Sequence, residues 1–267
     1  MRTIGIFDSG YSGMSMIRYL SETRVRVKYF GDIQNYPYAK RPAEEVRNFA
    51  MDGINHLSYS ANKPDAIAIT CSYSSSALGP YLKTLEIHRG IPIISVVEAG
   101  ATEAVRASTT GNIGLIGSRG TINSGYFANA INFIGGYFEK PISVFSQACP
   151  GLTKQIEEGR LYSPETRTML ETYLMPLRDN IDTIILACSH YSVLKGLIGD
   201  VLGNSITIVD PLEIAARLTL LKVFGDQDPP SGRPKIDLHF SGHINQSKLS
   251  LWQSMLEASP PPGIAVL

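Results

Sequence analysis

The chain has 267 residues, 43% of them hydrophobic, with 24 Lys and Arg against 24 Asp and Glu. That is ample for a sizeable core in one large domain or two modest ones. The balanced, interspersed charge argues against a nucleic-acid footprint and against a polybasic membrane patch. No apolar run approaches the roughly 20 residues needed to span a bilayer, and Ile4–Phe7 is too short for a signal peptide. The expectation is a cytoplasmic protein with no nucleic-acid or membrane partner. Of the three cysteines, Cys71, Cys149 and Cys188, no pair has the spacing of a structural zinc site, and an odd, sparse set argues against a disulfide framework.

In chain order, short apolar runs alternate with amphipathic stretches. Thr3–Phe7, Val25–Phe30, Ala66–Thr70, Ile91–Val97, Ile113–Ile116, Ile142–Phe145, Thr183–Ala187 and Ile206–Val209 read as buried strands, β-branched and often followed by Gly, Ser or Asp. Between them, Ala43–Ser58, Gly100–Ala107, Gly125–Phe133, Gly151–Glu158, Pro164–Asp179, Tyr191–Leu202 and Leu212–Lys222 carry a helical period, with Pro176 expected to kink or end its helix. Asp226–Lys235 reads as a surface loop, and His239 and Phe240 fall in a late strand. Such alternation predicts an α/β fold with mainly parallel sheets.

An internal repeat refines this. Asp65-Ala-Ile67-Ala-Ile69-Thr-Cys71-Ser72-Tyr73 lies on Asp182-Thr-Ile184-Ile-Leu186-Ala-Cys188-Ser189-His190, and Ile4–Ser9 lies on Ile113–Ser118 in the same phase. Any strand followed by a small-residue turn has something of this look, but the matched Cys-Ser pairs favour duplication. The expectation is two pseudo-symmetric, doubly wound domains: residues 1–96 completed by 208–267, and residues 97–207. Ligands of open α/β sheets sit at the carboxyl ends of the strands, and each of the two cysteines lies one or two residues past such an end. Two units facing across a pseudo-twofold axis would present one thiol to each side of a central cleft, where the active site is expected.

Two facing thiols suit one kind of chemistry. Inverting an α-carbon requires removing a proton from one face and delivering one to the other, and a pair of acid/base groups can exchange roles in the two directions. The reference pKa of a thiol, about 8.5, keeps both forms accessible. A free cysteine ordinarily fills space, and Cys149 in Ala148-Cys149-Pro150 is read that way. Asp8 and His190 are the polar candidates for tuning the two thiols.

These residues resemble the glutamate racemases of the aspartate/glutamate racemase superfamily over almost the whole chain. Ile4-Gly-Ile-Phe-Asp8-Ser9-Gly10-Tyr-Ser-Gly13 is similar to the opening I-G-V-F-D-S-G-x-G-G, and Tyr29-Phe-Gly31-Asp32 with Pro37-Tyr38-Ala39 to Y-x-G-D and P-Y-G. Cys71-Ser72-Tyr73-Ser-Ser-Ser76 stands where the family has C-N-T-A-S-A, and Gly117–Ser124 resembles G-T-x-x-T-I-x-S. Ala148-Cys-Pro with Ile156-Glu157-Glu158-Gly159 resembles A-C-P and V-E-x-G, and Ile185–Tyr191 resembles L-G-C-T-H-Y. The resemblance implies an enzyme that needs no cofactor or metal and interconverts the L and D forms of an acidic amino acid, aspartate or glutamate. It implies Cys71 and Cys188 as the acid/base pair, assisted by Asp8, Glu157 and His190. It implies substrate contacts from Ser9, Pro37, Tyr38, Ala39, Ser72, Tyr73, Thr121 and Ser189, and it is compatible with a homodimer. Backbone N–H groups of the Gly-rich Asp8–Gly13 turn would suit a carboxylate.

The departures bear on substrate choice more than on reaction type. Asn-Thr after the first cysteine is Ser72-Tyr73, Thr after the second is Ser189, and Gly after Pro-Tyr is Ala39. Tyr73 pointing inward would shrink the pocket towards aspartate. Pointing outward, it would keep the pocket's size and lose a hydroxyl. Alternatives on the same scaffold are decarboxylation, cis–trans isomerisation and hydantoin racemisation; outside catalysis, the alternative is an amino-acid-binding regulatory homologue. The biological role would be cell-wall precursor supply or secondary metabolism. His239-x-x-x-His243 would suit metal ligands only on a helix, and the Asp8–Gly13 turn lacks the Gly-Lys-Ser/Thr ending of a phosphate loop.

Overall fold

The computed structural model describes residues 1–60 and 62–257. The end of the segment expected to complete the first domain, residues 258–267, lies outside the described residues. The strands are β1 (Thr3–Asp8), β2 (Arg26–Gly31), β3 (Ala66–Ile69), β4 (Ile93–Ser95), β5 (Asn112–Gly117), β6 (Ser143–Ala148), β7 (Thr183–Ala187), β8 (Thr207–Val209) and β9 (Lys235–Phe240). They form two all-parallel sheets, in the orders β4-β3-β1-β2-β9 and β6-β5-β7-β8.

The chain divides into two compact units, Met1–Val96 with Leu212–Leu267, and Val97–Pro211. The chain returns to the first unit after Pro211 rather than after residue 207, because β8 pairs with β7 and so belongs to the second sheet.

The repeat is visible in the pairing. Read from its other edge, the second sheet runs β8-β7-β5-β6, the same order as β4-β3-β1-β2, and β9 is an addition to the first. The equivalent aspartates do equivalent work at the amino ends of β3 and β7. The Asp65 N–H donates to the Thr3 carbonyl at 2.8 Å, and the Asp182 N–H to the Asn112 carbonyl at 3.1 Å. Each carboxylate also ties down a neighbouring segment. Asp65 accepts the Thr3 N–H at 2.7 Å, and Asp182 accepts the Thr109 and Thr110 N–H groups at 2.7 and 2.6 Å.

The central strands β1, β3 and β7 are wholly buried, as their uninterrupted apolar runs predict. In the first unit the helix Ala43–Ser58 lays Val46, Ala50, Ile54 and Leu57 on Phe7, Ile67 and Ile69, in a cluster that also holds Tyr38, Cys71 and Leu78. Each fully buried large aliphatic in such a cluster contributes about 1.5–3 kcal/mol. Cys71 therefore stands on a packed floor.

Several elements differ from expectation. The strand expected over Ile91–Val97 is only Ile93–Ser95, and a helix, Val96–Ala107, starts at once because Val97, Ala101, Ala104 and Val105 form one buried helical face. The sixth strand begins at Ser143 rather than Ile142, and it is half-exposed because it pairs only with β5 at the sheet edge. Pro176 does not end its helix early: Pro164–Arg178 continues through it, with the proline in the last turn. The helix expected over Tyr191–Leu202 is a 3-10 turn, Ser189–Leu194, followed by the α-helix Lys195–Leu202. No helix among the described residues is long and apolar enough to cross a membrane.

Candidate active site

Both candidate thiols stand at strand carboxyl ends. In the first unit β3 ends at Ile69, Thr70 follows, and Cys71 is the N-cap residue of the short helix Ser72–Leu78. Beside it, at the end of β1, the buried Asp8 is held by its own turn. Its Oδ1 accepts the Gly10 N–H at 3.0 Å and lies 3.2 Å from Ser12 Oγ. The Thr70 hydroxyl is 2.9 Å from Asp8 Oδ2 and 2.9 Å from the Phe7 carbonyl. Gly13 is required here by close approach, since a Cβ on it would lie 2.2 Å from Thr70 Oγ1 and 2.6 Å from Asp8 Cβ. Tyr29 closes the turn from below, donating to the Gly10 carbonyl at 2.6 Å.

Cys71 is 7% exposed. Burial pushes its thiol up to about 11, and the Asp8 charge adds to this; the Ser74 and Ser9 side chains and the Ser74 N–H pull the other way. The resting state of this thiol is protonated, and any group that offsets Asp8 favours the thiolate.

Pro37 follows a cis peptide bond from Tyr36. Tyr38 is buried, and its hydroxyl donates to Asp32 Oδ2 at 2.5 Å; the Asn35 amide and the Ser241 hydroxyl share the same carboxylate. Burial and this bond hold the Tyr38 phenol well above its usual range. The Tyr38 hydroxyl is therefore committed to the protein. The same holds for Tyr73: its ring packs on the cluster around Tyr38 and Cys71, and its hydroxyl donates to the Arg41 carbonyl at 3.0 Å. Ser9 follows β1, Ala39 lies in the 3-10 turn Tyr38–Lys40, and Ser72 starts the helix after Cys71.

In the second unit β7 ends at Ala187 and Cys188 opens the 3-10 turn Ser189–Leu194. Cys188 Sγ is 3.7 Å from His190 Nδ1, and His190 Nε2 is 3.1 Å from Glu157 Oε1. Burial works against the imidazolium, but the hydrogen bonds to Cys188 and Glu157, with their charges, carry the His190 pKa up to about 10. His190 is then a buried cation through neutral pH, able to donate one N–H to Glu157 and the other to sulfur. Glu157 arrives from the helix Leu152–Glu157 after β6.

Thr121 is buried on the helix Arg119–Asn123 after β5, where its N–H donates to the Ser118 cap at 3.2 Å and its hydroxyl lies 3.1 Å from Ser118 Oγ. Ser189 is buried beside Cys188. Cys149 is buried too, its N–H on the Gly117 carbonyl at 3.0 Å and its thiol pushed up to about 12, by burial first and by the Cys188 charge second. Those surroundings suit a space-filling thiol. His239 lies on β9, with its ring 5.8 Å from that of His56.

Thus each unit gathers its own half of the expected residues: Asp8, Ser9, Tyr38, Cys71, Ser72 and Tyr73 in the first, Thr121, Glu157, Cys188, Ser189 and His190 in the second. Sequence reasoning passed over Thr70, which buttresses Asp8, Asp32, which holds Tyr38, and Ser74, which flanks Cys71. The serines at 74–76 stand in the family motif with no role assigned to Ser74. Thr70 carried no local signal, since its partner Asp8 comes from a neighbouring strand, and Asp32 stood in a motif that did not reveal its hold on Tyr38.

Residues 23–219 match the family model described as Asp/Glu/Hydantoin racemase. A glutamate racemase from Desulforudis audaxviator is 36% identical over 241 residues, 88% of this chain and 85% of that protein. The crystal structure of a glutamate racemase isoform from Bacillus anthracis superposes with a TM-score of 0.80 at 28% identity, covering 96% of this chain and 93% of that one. A glutamate racemase from Francisella tularensis, solved in complex with D-glutamate, gives a TM-score of 0.80 at 25% identity, covering 99% and 98%. The chain belongs to the Asp/Glu/hydantoin racemase family. It is with that an isomerase, an amino-acid racemase of the cofactor-independent type.

Proposed function

We propose that the protein interconverts L- and D-glutamate, with Cys71 and Cys188 as the two acid/base groups serving opposite faces of the α-carbon. The observation that carries this reading is the pairing of each strand-end thiol with its own ionisable partner, Asp8 for Cys71 and the His190–Glu157 pair for Cys188.

In one direction the Cys188 thiolate, stabilised by the His190 cation, takes the α-proton while the Cys71 thiol gives its proton to the other face. The products are the opposite enantiomer, a Cys188 thiol and a Cys71 thiolate. In the reverse direction the roles exchange. A substrate ammonium beside Asp8 offsets the charge that disfavours the Cys71 thiolate. Ser9, Ser72 and Ser189 supply hydroxyls and N–H groups for the substrate's polar ends. Tyr38 and Tyr73, with their hydroxyls committed, contribute ring surface or backbone, as do Pro37 and Ala39. Thr121 completes the set from the helix after β5. A cytoplasmic location suits three free thiols.

The test is α-proton exchange and optical inversion in heavy water with L- and D-glutamate and L- and D-aspartate. Exchange and inversion with glutamate, lost in Cys71→Ala and in Cys188→Ala, is the expected result. No deuterium uptake with any of the four would overturn the reading. Turnover of aspartate alone would instead favour a smaller pocket, for which the bulk of Tyr73 in place of Thr is the motivating feature.

A further inference from the structure

The hydroxyls that follow Cys71 are not equivalent. Ser75 Oγ is 3.3 Å from the Ile69 carbonyl, and Ser76 Oγ donates to the Ser72 carbonyl at 2.8 Å. Both are occupied with the backbone of their own turn or helix. Ser74 is different. It is fully buried, and its Oγ, cut off from solvent, makes no hydrogen bond among the described residues. An enclosed hydroxyl without such a partner is costly, so its surroundings matter. Cys71 is the N-cap residue of this helix with an extended backbone, φ −76° and ψ 113°, and Ser74 is three positions on. An N-cap side chain sits over the third helical position. The resting thiol makes no cap hydrogen bond, yet the Ser74 N–H and hydroxyl are among the groups that act on it.

We propose that Ser74 is a positioning residue for the reaction: its hydroxyl, idle while Cys71 is a thiol, donates to the sulfur when Cys71 becomes a thiolate. The inference deepens the two-thiol reading and rests on it for its functional meaning. It also accounts for the selective commitment of the neighbouring serines. In the motif that this segment resembles, alanine stands at the place of Ser74, so the hydroxyl is an addition of this chain. The need for it is visible in the surroundings. The Asp8 charge acts on Cys71, and a charge on Cys71 acts in turn on Tyr29, Tyr38 and Tyr73. Each of these is neutral or negative, so none stabilises a second anion. Ser9 and Ser74 are the side chains that act in the opposite sense. Cys188 has a histidine cation for this purpose, and Cys71 uses hydroxyls.

The experiment compares wild type with Ser74→Ala in the full chain. The iodoacetamide reaction rate of each cysteine is followed at pH 8 by peptide mass spectrometry. Losing a hydrogen bond to an anion raises the thiol pKa by about one unit or more. The more basic thiolate is a better nucleophile, so the Cys71 rate should fall about threefold per unit. The Cys188 rate should not change. Ser76→Ala, which removes a hydroxyl already bonded to backbone, should leave the Cys71 rate at the wild-type value. Ser74→Thr, which keeps a hydroxyl, should restore most of it. A Cys71 rate in Ser74→Ala within about 1.5-fold of wild type, or an equal fall at Cys188, would overturn the proposal. The acid limb of the kcat/KM–pH profile should also move upward in Ser74→Ala. Alkylation needs no turnover. A wild-type chain that alkylates as expected but does not racemise would sink the racemase reading while leaving the role of Ser74 on the thiol intact.

Discussion

Glu157 Oε1 stands 3.1 Å from His190 Nε2, and the opposite nitrogen of the same ring stands 3.7 Å from the Cys188 sulfur. The carboxylate therefore reaches the thiol only through the imidazole. Glu157→Gln keeps the shape and removes the charge that helps hold His190 protonated. Its expected effect is a fall in kcat of about 10- to 100-fold, less than loss of a thiol itself. The pH–rate profile should lose activity at lower pH on its alkaline side than in wild type. Unchanged kinetics would show that Glu157 only fills space.

The same relationship makes a stability prediction. The folded-state pKa of His190 is raised from 6.5 to about 10. A raised pKa contributes stability that is fully present below the unfolded value and is lost as pH rises through the folded one. The stability advantage of wild type over His190→Asn should accordingly be largest below about pH 6.5 and fade towards pH 10. Urea unfolding at pH 6, 8 and 9.5 measures it. An advantage that grows with pH would contradict a buried His190 cation.

Asp8 acts on Cys71 with the opposite sign. Its charge raises the thiol pKa beyond what burial alone does, so Asp8→Asn should lower it and speed alkylation of Cys71 at pH 8. Racemisation should nevertheless fall about 100-fold or more if Asp8 engages the substrate ammonium or the thiol proton. Faster alkylation with slower turnover is a combination that simple unfolding of the site does not produce, because unfolding would expose Cys149 to reagent as well.

Gly13 tests the geometry of the Asp8 turn without replacing any ionisable group. A methyl there meets Thr70 Oγ1 at 2.2 Å and Asp8 Cβ at 2.6 Å. Gly13→Ala should destabilise the protein by about 1–3 kcal/mol, read as a lower urea midpoint, and should impair turnover by displacing Asp8. A variant as stable and as active as wild type would show that the turn can relax.

Much of the architecture was legible because local pattern and tertiary role agree. Fully buried parallel strands need uninterrupted β-branched runs, and β1, β3 and β7 have them. Edge strands are less constrained, which is why the start of β6 and the length of β4 were misread. The duplicated Asp-x-Ile-x-aliphatic-x-Cys pattern was legible for the same reason, since each copy must end a central strand and turn into a helix. The aspartates at its head proved to be clamps at the opposite end of the strand from the cysteines.

What the residues alone determined is the reaction class: two Cys-Ser turns at the ends of matched strands, Asp8 at the end of β1, and a histidine two places after Cys188. What only tertiary structure decided is the wiring of those groups. The pairing of Glu157 with His190, the hold of Thr70 on Asp8, the tether of Tyr73 to Arg41 and the choice of Ser74 over Ser75 and Ser76 depend on which atoms lie within about 3 Å of each other. Hydrogen bonds are short-ranged and directional. Partners brought together by strand order and helix packing, from segments far apart in the chain, leave no periodic trace in the sequence.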